Sequence, residues 1–259
     1  MAGRLQDKVC LITGSTGIAE ATALLAAAEG ARIFVTGNDA DTVAELARRT
    51  GGESRIADFT STDQTDAAVA HCVQRFGRID ALFHVAGISG RKYGDGPLDQ
   101  CTDEGWQVTL ETNLGGTFRV CRSVLRHMLR QTIAASGLRG SILNMASVSA
   151  LSPEPRYFAT HAYAASKSAI IGMTEAMAAY YAPKKIRVNA IAPGLVRTPM
   201  SLRAQQDPEV SAFMRGKQPL TEGPLEPEEI ARAAVFLMSD EARTVTGVVF
   251  PVDAGWKVS

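Results

Sequence analysis

The chain has 259 residues, 46% hydrophobic and 21% charged, enough to bury a sizeable core in one large α/β domain or two small ones. Lys plus Arg and Asp plus Glu number 27 each, so no net field draws nucleic acid or an anionic membrane surface. The four scattered cysteines, Cys10, Cys72, Cys101 and Cys121, form no Cys-x-x-Cys pair, and no apolar run suits a signal peptide or a membrane span. These features predict a cytoplasmic protein with reduced thiols, no metal and no nucleic-acid or membrane partner.

In chain order, a β-branched run at 9–13 predicts the first strand, and a helical pattern follows at 18–29, closed by Gly30 as a C-terminal cap. Strand candidates at 31–36, 55–57 and 81–85 alternate with helical patterns at 41–49 and 65–76. A long helix is expected over 103–130, then a strand at 141–146, a helix at 161–181 and a strand at 187–191. The segment 198–227 carries Pro199, Pro208, Pro219, Pro224 and Pro227 and reads as a substrate lid with a short helix near 209–215. A helix at 228–239 and a strand at 246–252 complete the pattern. Repeated strand–helix–strand units need crossovers, which give a parallel sheet with helices on both faces. Continuous apolar strands fit burial on both sides. The expectation is one α/β domain over 1–259, doubly wound around a seven-stranded parallel sheet.

The turn Thr13-Gly14-Ser15-Thr16-Gly17-Ile18-Ala19 joins the first strand to the first helix. Glycines there let backbone approach a pyrophosphate at a helix N-terminus, although a plain strand–helix turn has the same composition. Gly37 and Asn38 end the second strand, where an acid would hold a ribose hydroxyl and an arginine a 2′-phosphate. Asp39 suits the ribose or a helix N-cap equally, so the choice between NAD and NADP stays open.

Tyr163-Ala164-Ala165-Ser166-Lys167 lies in a strongly helical segment, and residues four apart share one face. A free phenol titrates near pH 10, and a neighbouring ammonium is expected to lower that value until the proton moves readily to or from a substrate oxygen. Ser147 closes the preceding strand, while Asn189-Ala190-Ile191-Ala192-Pro193-Gly194 closes the next and leads to Thr198. His161, His84 and the basic residues Arg203, Arg215 and Lys217 are secondary candidates. The last three suit either an acidic carrier or phosphorylated substrate, or plain solvated surface. Met173 and Met177 suit a buried or interface face of the same helix.

At these motifs the chain resembles the short-chain dehydrogenase/reductase family over nearly its whole length, from Thr13-Gly14 to Val252-Asp253-Ala254-Gly255. The resemblance implies a Rossmann-type enzyme that moves a hydride between NAD(P)(H) and a secondary alcohol or ketone. It implies Tyr163 as acid/base, Lys167 as the group that lowers its pKa, Ser147 orienting the substrate oxygen, and Asn113 supporting a water in a proton relay. The cofactor would meet Gly14, Ser15, Thr16, Gly17 and Ile18 at the turn, and Asn38, Asp58, Phe59, Ala86 and Gly87 around the adenosine. On the nicotinamide side it would meet Pro193, Gly194, Val196 and Thr198, with Tyr163 and Lys167 at its ribose. The family's habit also implies a homo-oligomer, dimer or tetramer, acting on a small alcohol or carbonyl compound. Alternatives are a dinucleotide-binding regulator without catalysis and, as a narrower substrate class, a 3-oxoacyl-thioester reductase. The glycine turn is one residue shorter than the family pattern, His84-Val85-Ala86-Gly87 replaces Asn-Asn-Ala-Gly, and 153–157 enlarges the loop between Ser147 and Tyr163.

Overall fold

The computed structural model describes residues 3–259. The strands are β1 (Val9–Thr13), β2 (Arg32–Gly37), β3 (Glu53–Ile56), β4 (Ala81–His84), β5 (Gly140–Met145), β6 (Ile186–Pro193) and β7 (Val249–Val252). All pair in parallel in the order β3-β2-β1-β4-β5-β6-β7. β1, β4, β5 and β6 are buried along their whole length, as expected for strands covered on both faces, whereas the edge strands β3 and β7 are partly exposed.

The helices are α1 (Ile18–Ala28), α2 (Ala40–Thr50), α3 (Thr62–Phe76), α4 (Asp103–Leu110), α5 (Gly116–Met128), α6 (His161–Tyr181), α7 (Leu202–Gln206), α8 (Pro208–Lys217) and α9 (Pro227–Met238). One apolar layer joins α1, α2 and α9 to the sheet through Ile12, Ala23, Val35, Leu46, Ile230 and Val235. The opposite layer joins α3, α5 and α6 through Leu11, Val69, Cys72, Val124, Met128 and Ala178. The order in which strands are added to the sheet reverses between β1 and β4, which opens the crevice where ligands bind in this architecture.

Two expectations need correction. The helix expected over 103–130 runs without interruption from Asp103 to Met128, but a π-turn, Glu111–Gly115, divides it into α4 and α5. An extra residue in that turn rotates Asn113 inward, a distortion that simple apolar periodicity does not encode. The segment 198–227 holds two short helices, α7 and α8, where one was expected, because Asp207 accepts from the N–H groups of Glu209 and Val210 and restarts the chain at Pro208.

Candidate active site

A cavity of about 730 Å³ opens at the carboxyl ends of the strands. Gly14 and Gly17 adopt φ of +91° and +57°, values that favour glycine. A Cβ on Gly17 would meet Thr198 Cγ2 at 2.8 Å, so the shortened turn is covered by the start of the 198–227 segment. Helix α1 begins without a side-chain cap, which leaves its N-terminus to an anion. These features fit a dinucleotide. Gly14, Ser15, Thr16 and Ile18 line the cavity, and so do Asn38, Asp58 and Phe59 farther along. Ala86, Gly87, Pro193, Gly194, Val196 and Thr198 line its remaining walls. Gly17 itself is not among the lining residues.

The carboxylate of Asp39 accepts from the backbone and hydroxyl of Thr42, at 2.9 and 2.8 Å, and the Thr42 hydroxyl meets Ser15 at 2.7 Å. Asp39 thus acts as the N-cap of α2 while still lining the cavity. Both residues around the second strand's end and the wall at 57–60 supply carboxylates, Asp39 and Asp58, and no Lys or Arg.

Tyr163, Lys167 and Ser147 share the opposite end. Lys167 is only 3% exposed, its Nζ donates to the Met145 carbonyl at 2.8 Å, and it stands 5.5 Å from the centroid of the Tyr163 ring. Burial pulls its pKa down to about 8. The phenol of Tyr163 is raised above its ordinary value, chiefly by burial, while the neighbouring Ser147 hydroxyl acts in the opposite direction. The sequence predicted the reverse, with Lys167 lowering the phenol. The ammonium is engaged by the Met145 carbonyl and stands over the ring, and burial sets the direction of the shift.

Asn113 is 1% exposed. Its Oδ1 accepts from Ile88 N–H at 2.8 Å, and its Nδ2 donates to the Ile88 carbonyl and the Ser166 hydroxyl, at 3.0 and 3.1 Å. A Cβ on Gly87 would meet Asn113 Oδ1 at 2.9 Å. The asparagine therefore clasps the turn after β4 onto α6, and its amide is committed to protein partners.

His84 takes over a sheet position that asparagine holds in the family pattern. Thr13 Oγ1 accepts from Val85 and Ala86 N–H at 2.9 and 3.1 Å, so its own proton goes to His84 Nδ1 at 2.9 Å. The imidazole then carries its hydrogen on Nε2, which has no partner among the described residues. Burial first, and the charge of Lys167 second, depress its pKa to about 3.

Asp95 is a further residue of the site. Its carboxylate accepts from the N–H groups of Ala162 and Tyr163 at 3.0 and 2.9 Å, and the Gly96 carbonyl accepts from His161 N–H at 3.1 Å. The loop after β4 thus caps the helix that carries the tyrosine. A lone acid in a glycine-rich loop gives no local signal of this. His161 is exposed and lies outside the cavity lining, as do Arg215 and Lys217, whereas Arg203 lies on it.

A family model described as "Enoyl-(Acyl carrier protein) reductase" matches residues 12–257. The chain is 37% identical to a "3-oxoacyl-[acyl-carrier-protein] reductase FabG" of Thermotoga maritima, covering 97% of this chain and 98% of that protein. It is 34% identical to a "D-threitol dehydrogenase" of Mycolicibacterium smegmatis, covering 98% and 95%. A solved short-chain type dehydrogenase/reductase from Mycobacterium ulcerans superposes with a TM-score of 0.88 at 32% identity, over 98% of this chain and 91% of the other. The chain belongs to the short-chain dehydrogenase/reductase family. As such it is an NAD(P)(H)-dependent oxidoreductase that transfers a hydride between the cofactor and a secondary alcohol or ketone. Among the described residues, no group of His, Cys, Asp and Glu suits a metal ion, and no helix is long and apolar enough to cross a membrane.

Proposed function

We propose that Tyr163 is the acid/base of this short-chain dehydrogenase/reductase, with Ser147, Lys167 and Asn113 completing the catalytic set. The observation that carries the reading is a phenol sharing its cavity with Ser147, a buried lysine and the uncapped glycine turn. The nicotinamide, when bound, supplies or accepts the hydride. In the reductive direction Tyr163 Oη gives its proton to the substrate oxygen as hydride reaches the carbon, and solvent returns the proton. Oxidation reverses each transfer. A phenol is protonated at neutral pH, the form that reduction requires, and burial favours that form further. Ser147 holds the same substrate oxygen, Lys167 binds the nicotinamide ribose, and Asn113 fixes the turn against which the cofactor lies.

Gly14, Ser15, Thr16, Gly17 and Ile18 would hold the dinucleotide at the turn, and Asn38, Asp58, Phe59, Ala86 and Gly87 would hold its adenosine. Pro193, Gly194, Val196 and Thr198 would receive the nicotinamide side. Asp39 and Asp58, with no cation beside them on the lining, would repel a 2′-phosphate, which supports NAD(H) over NADP(H). The whole chain acts as one dinucleotide-binding unit, 198–227 acts as its lid, and the protein works in the cytoplasm. Trp106 and Phe118 line a shallow exposed depression between α4 and α5, which supports a homo-oligomer, a dimer or tetramer, checked by light scattering in solution.

The experiment is a panel of ketones and secondary alcohols followed at the nicotinamide absorbance, with NAD(H) and NADP(H) run separately. A 3-oxoacyl thioester belongs in the panel, given the Thermotoga relative. Tyr163→Phe should keep cofactor affinity and lose nearly all turnover. A fully active Tyr163→Phe on a true substrate overturns the assignment.

A further inference from the structure

At the far end of the cavity from the adenosine region, two arginines from separate elements converge. Arg91 belongs to a short turn of helix, Arg91–Tyr93, in the loop after β4, and Arg203 belongs to α7. Both line the cavity that holds Ser147 and Tyr163. Their Nη2 atoms donate to one and the same acceptor, the carbonyl of Tyr157, at 3.0 and 3.1 Å. Both side chains are exposed at the cavity mouth, where two cations side by side on one neutral oxygen repel each other, and partial desolvation together with the charge of Arg203 depresses the basicity of Arg91.

The nearby acids do not neutralise this pair by contact. Among the described residues, no Asp or Glu oxygen lies within ion-pair distance of Arg91 or Arg203. Glu154 lines the cavity, but its two oxygens accept from the N–H groups of Arg156 and Tyr157 at 2.8 and 2.7 Å. Asp95 is committed to the start of α6. Arg156 is matched with Glu209 at 3.4 Å on the rim. Lys92 adds a third cation to the same wall. A guanidinium carries five N–H donors in a planar fork, so each arginine retains donors beyond the one given to Tyr157.

We propose that Arg91 and Arg203 form an anion-binding subsite, and that the substrate carries a carboxylate or phosphate beyond its reacting carbon. This deepens the oxidoreductase reading and rests on it for the location of the reacting carbon. An anion seated between the guanidiniums relieves their repulsion and accepts charge-assisted hydrogen bonds from both. It also selects among compounds that the hydroxyls of Ser147 and Tyr163 would treat alike.

The test has a binding arm and a turnover arm. Protein saturated with NAD(H), so that the cofactor's own phosphate site is filled, is titrated calorimetrically with malonate and with inorganic phosphate. Binding of either is expected, and their relative affinity distinguishes a carboxylate from a phosphate site. Arg91→Gln/Arg203→Gln should weaken it about 10–100-fold, the loss expected for charge-assisted hydrogen bonds. The charge-retaining Arg203→Lys should keep most of the binding, which separates the anion site from a mere clamp on the Tyr157 loop. In the turnover arm, the kcat/KM of acetoacetate relative to its ethyl ester should favour the acid and fall about 10–100-fold in Arg203→Gln, with KM carrying the change. No binding of either anion, binding equal in wild type and double glutamine variant, or an unchanged acid-to-ester ratio overturns the subsite. Turnover of neutral ketones without preference for the acid sinks the subsite alone. Anion binding that needs the arginines, with no turnover of any carbonyl compound, sinks the oxidoreductase assignment of Tyr163 and leaves the subsite standing.

Discussion

His84 should make this fold sensitive to mild acid. The residue is 2% exposed, its Nδ1 accepts from Thr13, and the Phe59 ring stands edge-on at 5.6 Å. A second proton on Nδ1 would face a hydroxyl that already accepts two backbone N–H groups, and Lys167 would repel the new charge. With a folded pKa of about 3 against an ordinary 6.5, the unfolded chain binds more protons throughout the interval between. Stability therefore falls as pH drops below about 6.5, by up to ~1.4 kcal/mol per pH unit. Between pH 7 and pH 5 the loss from this one group comes to about 2 kcal/mol. Of the other groups, His127 is also lowered by partial burial and contributes in the same direction. Glu29, Asp39 and Glu45, lowered by hydrogen bonds, act only at lower pH, around their unfolded carboxylate range. Urea denaturation at pH 7 and pH 5 on wild type and His84→Asn measures the difference. The asparagine can accept from Thr13 without titrating, so its pH dependence should be flatter by about 2 kcal/mol. Equal losses in the two proteins would refute the locked neutral imidazole.

Asp95→Ala removes the acceptor for two N–H groups at the start of α6 and should cost about 1–2 kcal/mol in denaturant stability. Because one of those groups belongs to Tyr163, kcat should fall more than KM rises, and Asp95→Asn, which keeps an acceptor, should recover part of it. Gly17→Ala places a Cβ against Thr198 at a positive φ, so cofactor affinity measured by fluorescence titration should drop about tenfold or more, and the strained turn should lower the melting temperature by a few degrees.

The local code of the chain was enough for much of this architecture. Helix 161–181 was legible because its pattern repeats at helical spacing, and the same spacing put Tyr163 and Lys167 on one face. Strand–helix alternation required crossovers and hence the parallel sheet. Apolar periodicity was silent about the π-turn, since one inserted residue at 111–115 changes the phase without changing the composition. The expected influence of Lys167 on the phenol also depended on tertiary structure, where burial and the Met145 carbonyl redirect the ammonium.

Sequence by itself determined the alternating elements, the glycine turn and the tyrosine–lysine pair, because each arises from residues within a turn or two of one another. Only the tertiary structure decided that Thr13 meets His84, that Asp95 caps α6, and that Arg91 and Arg203 share Tyr157. Those meetings follow from sheet register and loop closure across long separations, where no local preference of the backbone carries information.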